Sequence, residues 1–245
     1  NPTFGYYSPC SEMRGMRKIT CSYIGENFLF PIEEFSEKII NYNPRLIFIC
    51  NPNNPTGTVL SAKEIINLAN INHESLVIVD ELYERFNGDT LLESIDFKKN
   101  NNIVIIQSLS KTAGLAGLRI GFAFGNKSLI QYINKVTGPY DVNSFAITAA
   151  LAALKDKSYI DNYVLEVKKA REWILNKFKA TNIRTNFSGG NYFLIWPKKD
   201  PKILIKQMRE KGILIRSMEN KKDIGKSIRV SIGTKEQMIF FWENY

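Results

Sequence analysis

A single histidine, His73, is present among 245 residues. Zinc sites and Ser-His or Cys-His nucleophile pairs draw on histidine, often on several, so triad hydrolysis and metal-assisted hydrolysis are disfavoured and no metal site is expected. His73 lies in Asn70-Ile71-Asn72-His73-Glu74, a helix-to-strand link, and reads as a surface residue. Cysteine is scarce as well: Cys10, Cys21 and Cys50 are odd in number and widely spaced, which fits reduced thiols in a cytoplasm better than a disulfide framework. No apolar run reaches the roughly 18 residues that a membrane-spanning helix needs, and Asn1-Pro2-Thr3-Phe4-Gly5 has neither a basic n-region nor an apolar h-region. A soluble, cytoplasmic protein is the expectation.

Long runs of one charge are also missing. The net charge of +9 suits a nucleic acid, a membrane surface or an anionic substrate, but basic and acidic residues alternate along the helices, as in Lys168-Lys169-Ala170-Arg171-Glu172. Nucleic-acid and membrane partners are therefore disfavoured. Most of the excess reads as solvated surface, with a few strand-end arginines left for a small anion.

What is present is an ordinary globular composition, 44% hydrophobic and 23% charged, with short apolar runs alternating with helical patterns. Arg45 to Cys50, Leu76 to Asp80, Ile103 to Gln107 and Arg119 to Phe124 read as buried strands of one mostly parallel sheet. Ser61 with Glu64 forms a capping-box pattern before Ile65, Ile66, Leu68 and Ala69. From Ser158 to Ala180, apolar residues recur at three and four positions and predict one long amphipathic helix. Beyond it, Asn191 to Trp196, a helix from Pro201, Gly212 to Arg216 and Ser227 to Ile232 are the makings of a smaller α+β domain. The expected architecture is α/β, with a large domain over residues 1–165 and a small C-terminal domain over 166–245.

The chemistry-bearing residues cluster where strands end and loops begin, the edge at which open α/β sheets bind ligands. Asn51-Pro52-Asn53-Asn54-Pro55-Thr56-Gly57 follows the first strand, Asp80-Glu81-Leu82-Tyr83 the second, and Ser108-Leu109-Ser110-Lys111 the third, with Gly114, Gly117 and Arg119 beyond. Singly, these read as a turn, a solvated acid and a polar loop with a surface lysine. Pyridoxal-phosphate chemistry gives them a common reason. It needs a lysine amine for the aldehyde, an acid facing the pyridine nitrogen, donors to the phenolic oxygen, and hydroxyls with an arginine for the phosphate.

NPNNPTG, DELY and SLSKTAGLAGLR, in that order, resemble the three signatures of the class I/II, fold-type I aminotransferases, and in detail the branch that acts on histidinol phosphate. The similarity spans essentially the whole chain, including Pro2-Thr3-Phe4, Pro139 to Asn143 and Ser227 to Thr234. The resemblance implies pyridoxal 5'-phosphate as cofactor, set in a cleft between the two domains, with Lys111 as the Schiff-base lysine and Asp80 opposite the ring nitrogen. It further implies that Tyr83 and Asn54 bond the ring oxygen, Ser108, Ser110 and Arg119 bind the cofactor phosphate, Phe4 lines the site, and Arg216 with Arg229 takes the substrate anion. Phe4 stands where the family often has tyrosine.

The implied substrates are L-histidinol phosphate and 2-oxoglutarate, in histidine biosynthesis. Relatives carry a further N-terminal stretch, with a glycine-containing phosphate loop and a tyrosine that reaches the neighbouring subunit's site, so a fragment of a homodimeric enzyme is expected. Two other readings stay open. A threonine-phosphate decarboxylase shares the cofactor residues, though Ser110 to Gly117 and the ending around Arg229 look more like the aminotransferase. A non-catalytic, cofactor-binding regulatory domain would carry a DNA-binding helix-turn-helix ahead of this region, and none is visible in the sequence.

Overall fold

The computed structural model describes residues 1–221 and 223–245. In chain order the elements are α1 (Tyr7–Met13), α2 (Ile32–Tyr42), β1 (Leu46–Cys50), α3 (Ala62–Ile71), β2 (Leu76–Asp80) and α4 (Glu84–Asn87). Then come β3 (Ile103–Gln107), β4 (Phe122–Gly125), α5 (Lys127–Asn134), α6 (Ser144–Lys155) and α7 (Lys157–Lys179). The last are β5 (Arg184–Phe187), β6 (Tyr192–Trp196), α8 (Pro201–Glu210), β7 (Arg216–Ser217), β8 (Ile228–Ser231) and α9 (Lys235–Asn244). They form two compact units. One comprises Ile32–Pro52 and Val59–Val164; the other comprises Asn1–Pro31, Asn53–Thr58 and Leu165–Tyr245.

The first unit is built on a sheet of order β1-β2-β3-β4. Its central strands β2 and β3 are mostly valine, isoleucine and leucine, as expected where both faces are covered, and Ile103, Val104 and Ile105 of β3 are at most 3% exposed. β1, β2 and β3 are parallel, with Cys50 level with Asp80 and Asp80 level with Ile106. The fourth strand differs from the expectation in two ways: it begins only at Phe122, and it runs antiparallel to β3. Arg119 cannot belong to it, because it sits at φ 57°, ψ 42°, left-handed backbone that closes a short 3-10 turn, Ala116–Leu118. Helix α3 starts at the anticipated capping box, with Ser61 Oγ accepting from Glu64 N and the Glu64 carboxylate accepting from Ser61 N.

The second unit carries an antiparallel sheet of order β5-β6-β8-β7. Helix α7 has no proline or glycine, and Val167, Ala170, Ile174 and Phe178 along its buried stripe are at most 2% exposed. Phe178 meets Phe193 of β6 and Trp242 of α9 edge-on, at 5.8 and 5.1 Å between ring centroids. Asp200 caps α8 through Lys202 N, with Pro201 at its first position. Of the expected strand Gly212 to Arg216, only its last residue is in β7; Gly212 has φ 77° and spends the segment on leaving α8.

Residues 53–58 join this unit through specific hydrogen bonds. Asn53 Nδ2 donates to Pro2 O at 3.0 Å and Thr3 Oγ1 donates to Asn53 Oδ1 at 2.7 Å. Asn186 Nδ2 donates to Thr56 O at 2.9 Å, and Gly189 N to Gly57 O at 2.9 Å. Gly57 has φ 73°, and a Cβ there would lie 2.6 Å from Ser188 Oγ and 2.7 Å from Ser188 Cβ. Glycine is thus required twice, for backbone and for space. Gly57→Ala is expected to lower the unfolding free energy by roughly 1–3 kcal/mol, read from urea denaturation.

Candidate active site

Because β1, β2 and β3 are parallel and in register, the residues that follow them emerge at one edge of the first unit. Asp80 ends β2 half-buried, and its Oδ1 accepts from Leu82 N at 3.2 Å, which turns the chain toward α4. Tyr83 is 4% exposed, and Lys111 Nζ lies 5.9 Å from its ring centroid, within cation-π reach. After β3, Ser108 Oγ and Ser110 Oγ are 2.6 Å apart, Ser110 N donates to Ser108 Oγ at 3.0 Å, and Ser108 Oγ also donates to Ile120 O at 3.0 Å. The exposed Arg119 bonds through Nη1 to Ala116 O at 3.0 Å. A positive-φ arginine costs backbone energy, and such strain persists where the surrounding turn imposes it, often at ligand sites.

Sequence reasoning passed over Glu81, the neighbour of Asp80. Adjacent strand residues point to opposite sides, and Glu81 is 1% exposed. Its carboxylate accepts from Leu91 N and Thr90 Oγ1, both at 2.6 Å, and from Gln107 Nε2 at 2.9 Å. A buried carboxylate with three donors ties the end of β2 to the end of β3 and to the 3-10 turn Leu91–Glu93. The only sequence signal was a second acid closing an apolar run, which predicts burial only if partners are known.

The other four expected residues, Phe4, Asn54, Arg216 and Arg229, belong to the second unit. Phe4 is 40% exposed and meets Tyr7 edge-on at 5.4 Å. Arg216 of β7 stands directly opposite Arg229 of β8. Like charges facing each other across a strand pair are destabilising unless something neutralises them, and among the described residues neither arginine has a carboxylate partner. Arg229 Nη1 donates to Asn54 Oδ1 at 2.7 Å, and its guanidinium lies 5.5 Å from the Tyr192 ring centroid. Its Nε is buried without a hydrogen-bond partner among the described residues. An unsatisfied buried cationic donor beside a second arginine is the chemistry of an anion site.

One titration marks the first unit. Burial first, and the Glu81 carboxylate second, push the Glu84 carboxyl up to about 7 from its ordinary 4.5. The folded chain therefore binds more protons than the unfolded one between those values, and stability falls as pH rises through that window. Glu84→Gln, which stays neutral, should match the parent below pH 4 and exceed its unfolding free energy by roughly 1–3 kcal/mol above pH 7. Urea titrations at the two pH values check it.

The family model of class I and II aminotransferases matches residues 1–240. A histidinol-phosphate aminotransferase of Caldanaerobacter subterraneus is 32% identical over 238 residues, which are 96% of this chain and 66% of that relative's own length. The chain thus spans slightly less than two thirds of the curated relative. The histidinol-phosphate aminotransferase structure from Clostridium acetobutylicum superposes with a TM-score of 0.89 at 24% identity, over 99% of this chain and 74% of that one. The L-threonine-O-3-phosphate decarboxylase structure from Porphyromonas gingivalis gives 0.83 at 25% identity, over 99% and 73%. The fold is that of the fold-type I α/β transferases, and the chain belongs to the class I and II aminotransferases.

Proposed function

We propose that this chain is the catalytic core of a pyridoxal-phosphate aminotransferase that moves an amino group from L-histidinol phosphate to 2-oxoglutarate. The observation that carries the reading is the lysine amine of Lys111 over the Tyr83 ring, in a unit whose sheet edge also presents Asp80 and the hydroxyls of Ser108 and Ser110. The residues fit the cofactor in kind. Bound pyridoxal phosphate supplies an aldehyde for an amine and a ring that draws electrons from the substrate carbon.

The protein's own groups supply the rest. Lys111 Nζ would hold the cofactor through its amine and would serve as the base that moves a proton from the substrate carbon. Asp80, whose carboxylate is oriented by the bond from Leu82 N, would hold the ring nitrogen and its proton. Tyr83 and Asn54 would hold the ring oxygen as donors, while Ser108, Ser110 and Arg119 would hold the phosphate. Arg229 and Arg216 receive the phosphate ester of the amine and a carboxylate of the oxo acid in turn. A planar guanidinium pairs with either oxyanion and stays charged at working pH.

Support for the amine comes from the curated relative's activity and from the cross-strand arginine pair. Action as a homodimer in a cytoplasm is part of the same proposal, and no described helix is long and apolar enough to cross a membrane.

Two measurements test this. Lys111→Ala should remove the visible cofactor absorption of the purified protein, and an unchanged spectrum rejects the assignment of that lysine. In single-turnover kinetics, Arg229→Lys should weaken both half-reactions by roughly 1.5–3 kcal/mol per lost charge-assisted contact, with the visible spectrum of the cofactor retained. Equal rates for phosphorylated and unphosphorylated histidinol would remove the phosphate from the specificity. Carbon dioxide release from phosphothreonine as the main reaction would favour the decarboxylase instead.

A further inference from the structure

Tyr192 opens β6, is 3% exposed, and has no part in the mechanism above. Its hydroxyl donates to Asn53 O at 2.5 Å. Its ring lies under the Arg229 guanidinium, 5.5 Å from centroid to Cζ. The sheet register explains the second contact: Leu194 is level with Arg229, so Tyr192, two residues earlier on the same face, is its diagonal neighbour. Asn53 is followed by Asn54, whose Oδ1 accepts from Arg229 Nη1 at 2.7 Å. The contacts close into a ring within one unit: tyrosine hydroxyl, loop carbonyl, asparagine amide, guanidinium, tyrosine face.

That ring has a chemical consequence for Asn54. A guanidinium only donates, so the amide must turn Oδ1 toward Arg229, which turns the Nδ2 donors to the other side. Orientation of this one amide thus depends on where Arg229 and the Asn53 backbone are held. We propose that Tyr192 is a positioning residue for both: its hydroxyl fixes the Asn53-Asn54 backbone and its ring supports Arg229. The inference rests on the ligand-binding roles given above to Asn54 and Arg229. A phenylalanine would fill the same volume, and a buried hydroxyl that costs desolvation is retained because it is bonded. Asn53 O also accepts from Gly57 N at 2.6 Å, so losing the tyrosine hydroxyl leaves the carbonyl satisfied and shifts the loop without unfolding it.

The two halves of the role separate in two variants of the cofactor-loaded protein. Tyr192→Phe keeps the ring and removes the anchor. A donor to the ring oxygen disperses its negative charge and so lowers the pH at which the visible absorption titrates. The loosened Asn54 should therefore raise that midpoint, by about half a pH unit. Tyr192→Leu also removes the ring, and the KM for 2-oxoglutarate should rise about tenfold beyond that of the phenylalanine variant, the loss of one cation-π contact. Thermal unfolding of both variants monitors integrity. An unmoved midpoint in Tyr192→Phe, or equal KM values in the two variants, overturns the proposal. So does a lowered unfolding temperature with spectrum and KM intact, the signature of a purely structural tyrosine. A parent protein with no visible cofactor band and no amino transfer rejects the proposed function itself, and the two failures are thereby distinct.

Discussion

Three parallel strands in one register, with Cys50, Asp80 and Ile106 abreast, bring the ends of β2 and β3 and the loops that follow them to a common edge, and the rest of the first unit depends on that alignment. Side chains alternate with a period of two, so a slip of one residue in β2 would exchange the places of Asp80 and Glu81. The ladder continues past the strand end, because Glu81 N donates to Ile106 O at 2.9 Å. The three donors on the Glu81 carboxylate then make any slip costly: Gln107, Thr90 and Leu91 would each lose a bond to it. Register and side-chain network specify the same geometry.

Two buried polar groups, the Glu81 carboxylate and the Arg229 Nε, differ in how far the fold satisfies them. Glu81 is buried and accepts from three donors of the fold. Arg229 keeps a buried Nε without a hydrogen-bond partner among the described residues and stands opposite Arg216, and both features cost energy. In the proposed function, an oxyanion held there would relieve both costs. The surplus positive charge of the chain, +9 overall, is mostly solvated surface, and these two guanidinium groups are the part of it that the fold has concentrated.

The strands β2 and β3 and the helix α7 were legible to within a residue, because continuous apolar runs and a stripe at three- and four-residue spacing are local signals. The candidate site residues stood out through their types and order at strand ends, and the structure keeps Asp80, Tyr83, Ser108, Ser110, Lys111 and Arg119 within the first unit, while their roles belong to the proposal. What failed has a physical cause in each case. Arg119 to Gly121 looked like the start of a strand, yet the left-handed arginine diverts the backbone until Phe122. The direction of β4 is not encoded in any local pattern. Glu81, Tyr192 and the attachment of residues 53–58 escaped because their partners are distant in sequence, and a hydrogen bond over 139 residues leaves no periodicity to read.

That distance also governs the order of assembly. The first unit takes its sheet from residues 46 to 125, a largely local problem. The second must bring Asn1–Pro31 and Asn53–Thr58 to Leu165–Tyr245, and its closing bonds span 130 residues for Asn186 to Thr56 and 175 for Arg229 to Asn54. Loop-closure entropy is met before such contacts return anything, so this unit is the slow one and cannot begin to close on a growing chain until β5 and β6 have been made. Until those strands exist, Asn1–Pro31 and Asn53–Thr58 lack the partners that hold them in the folded unit.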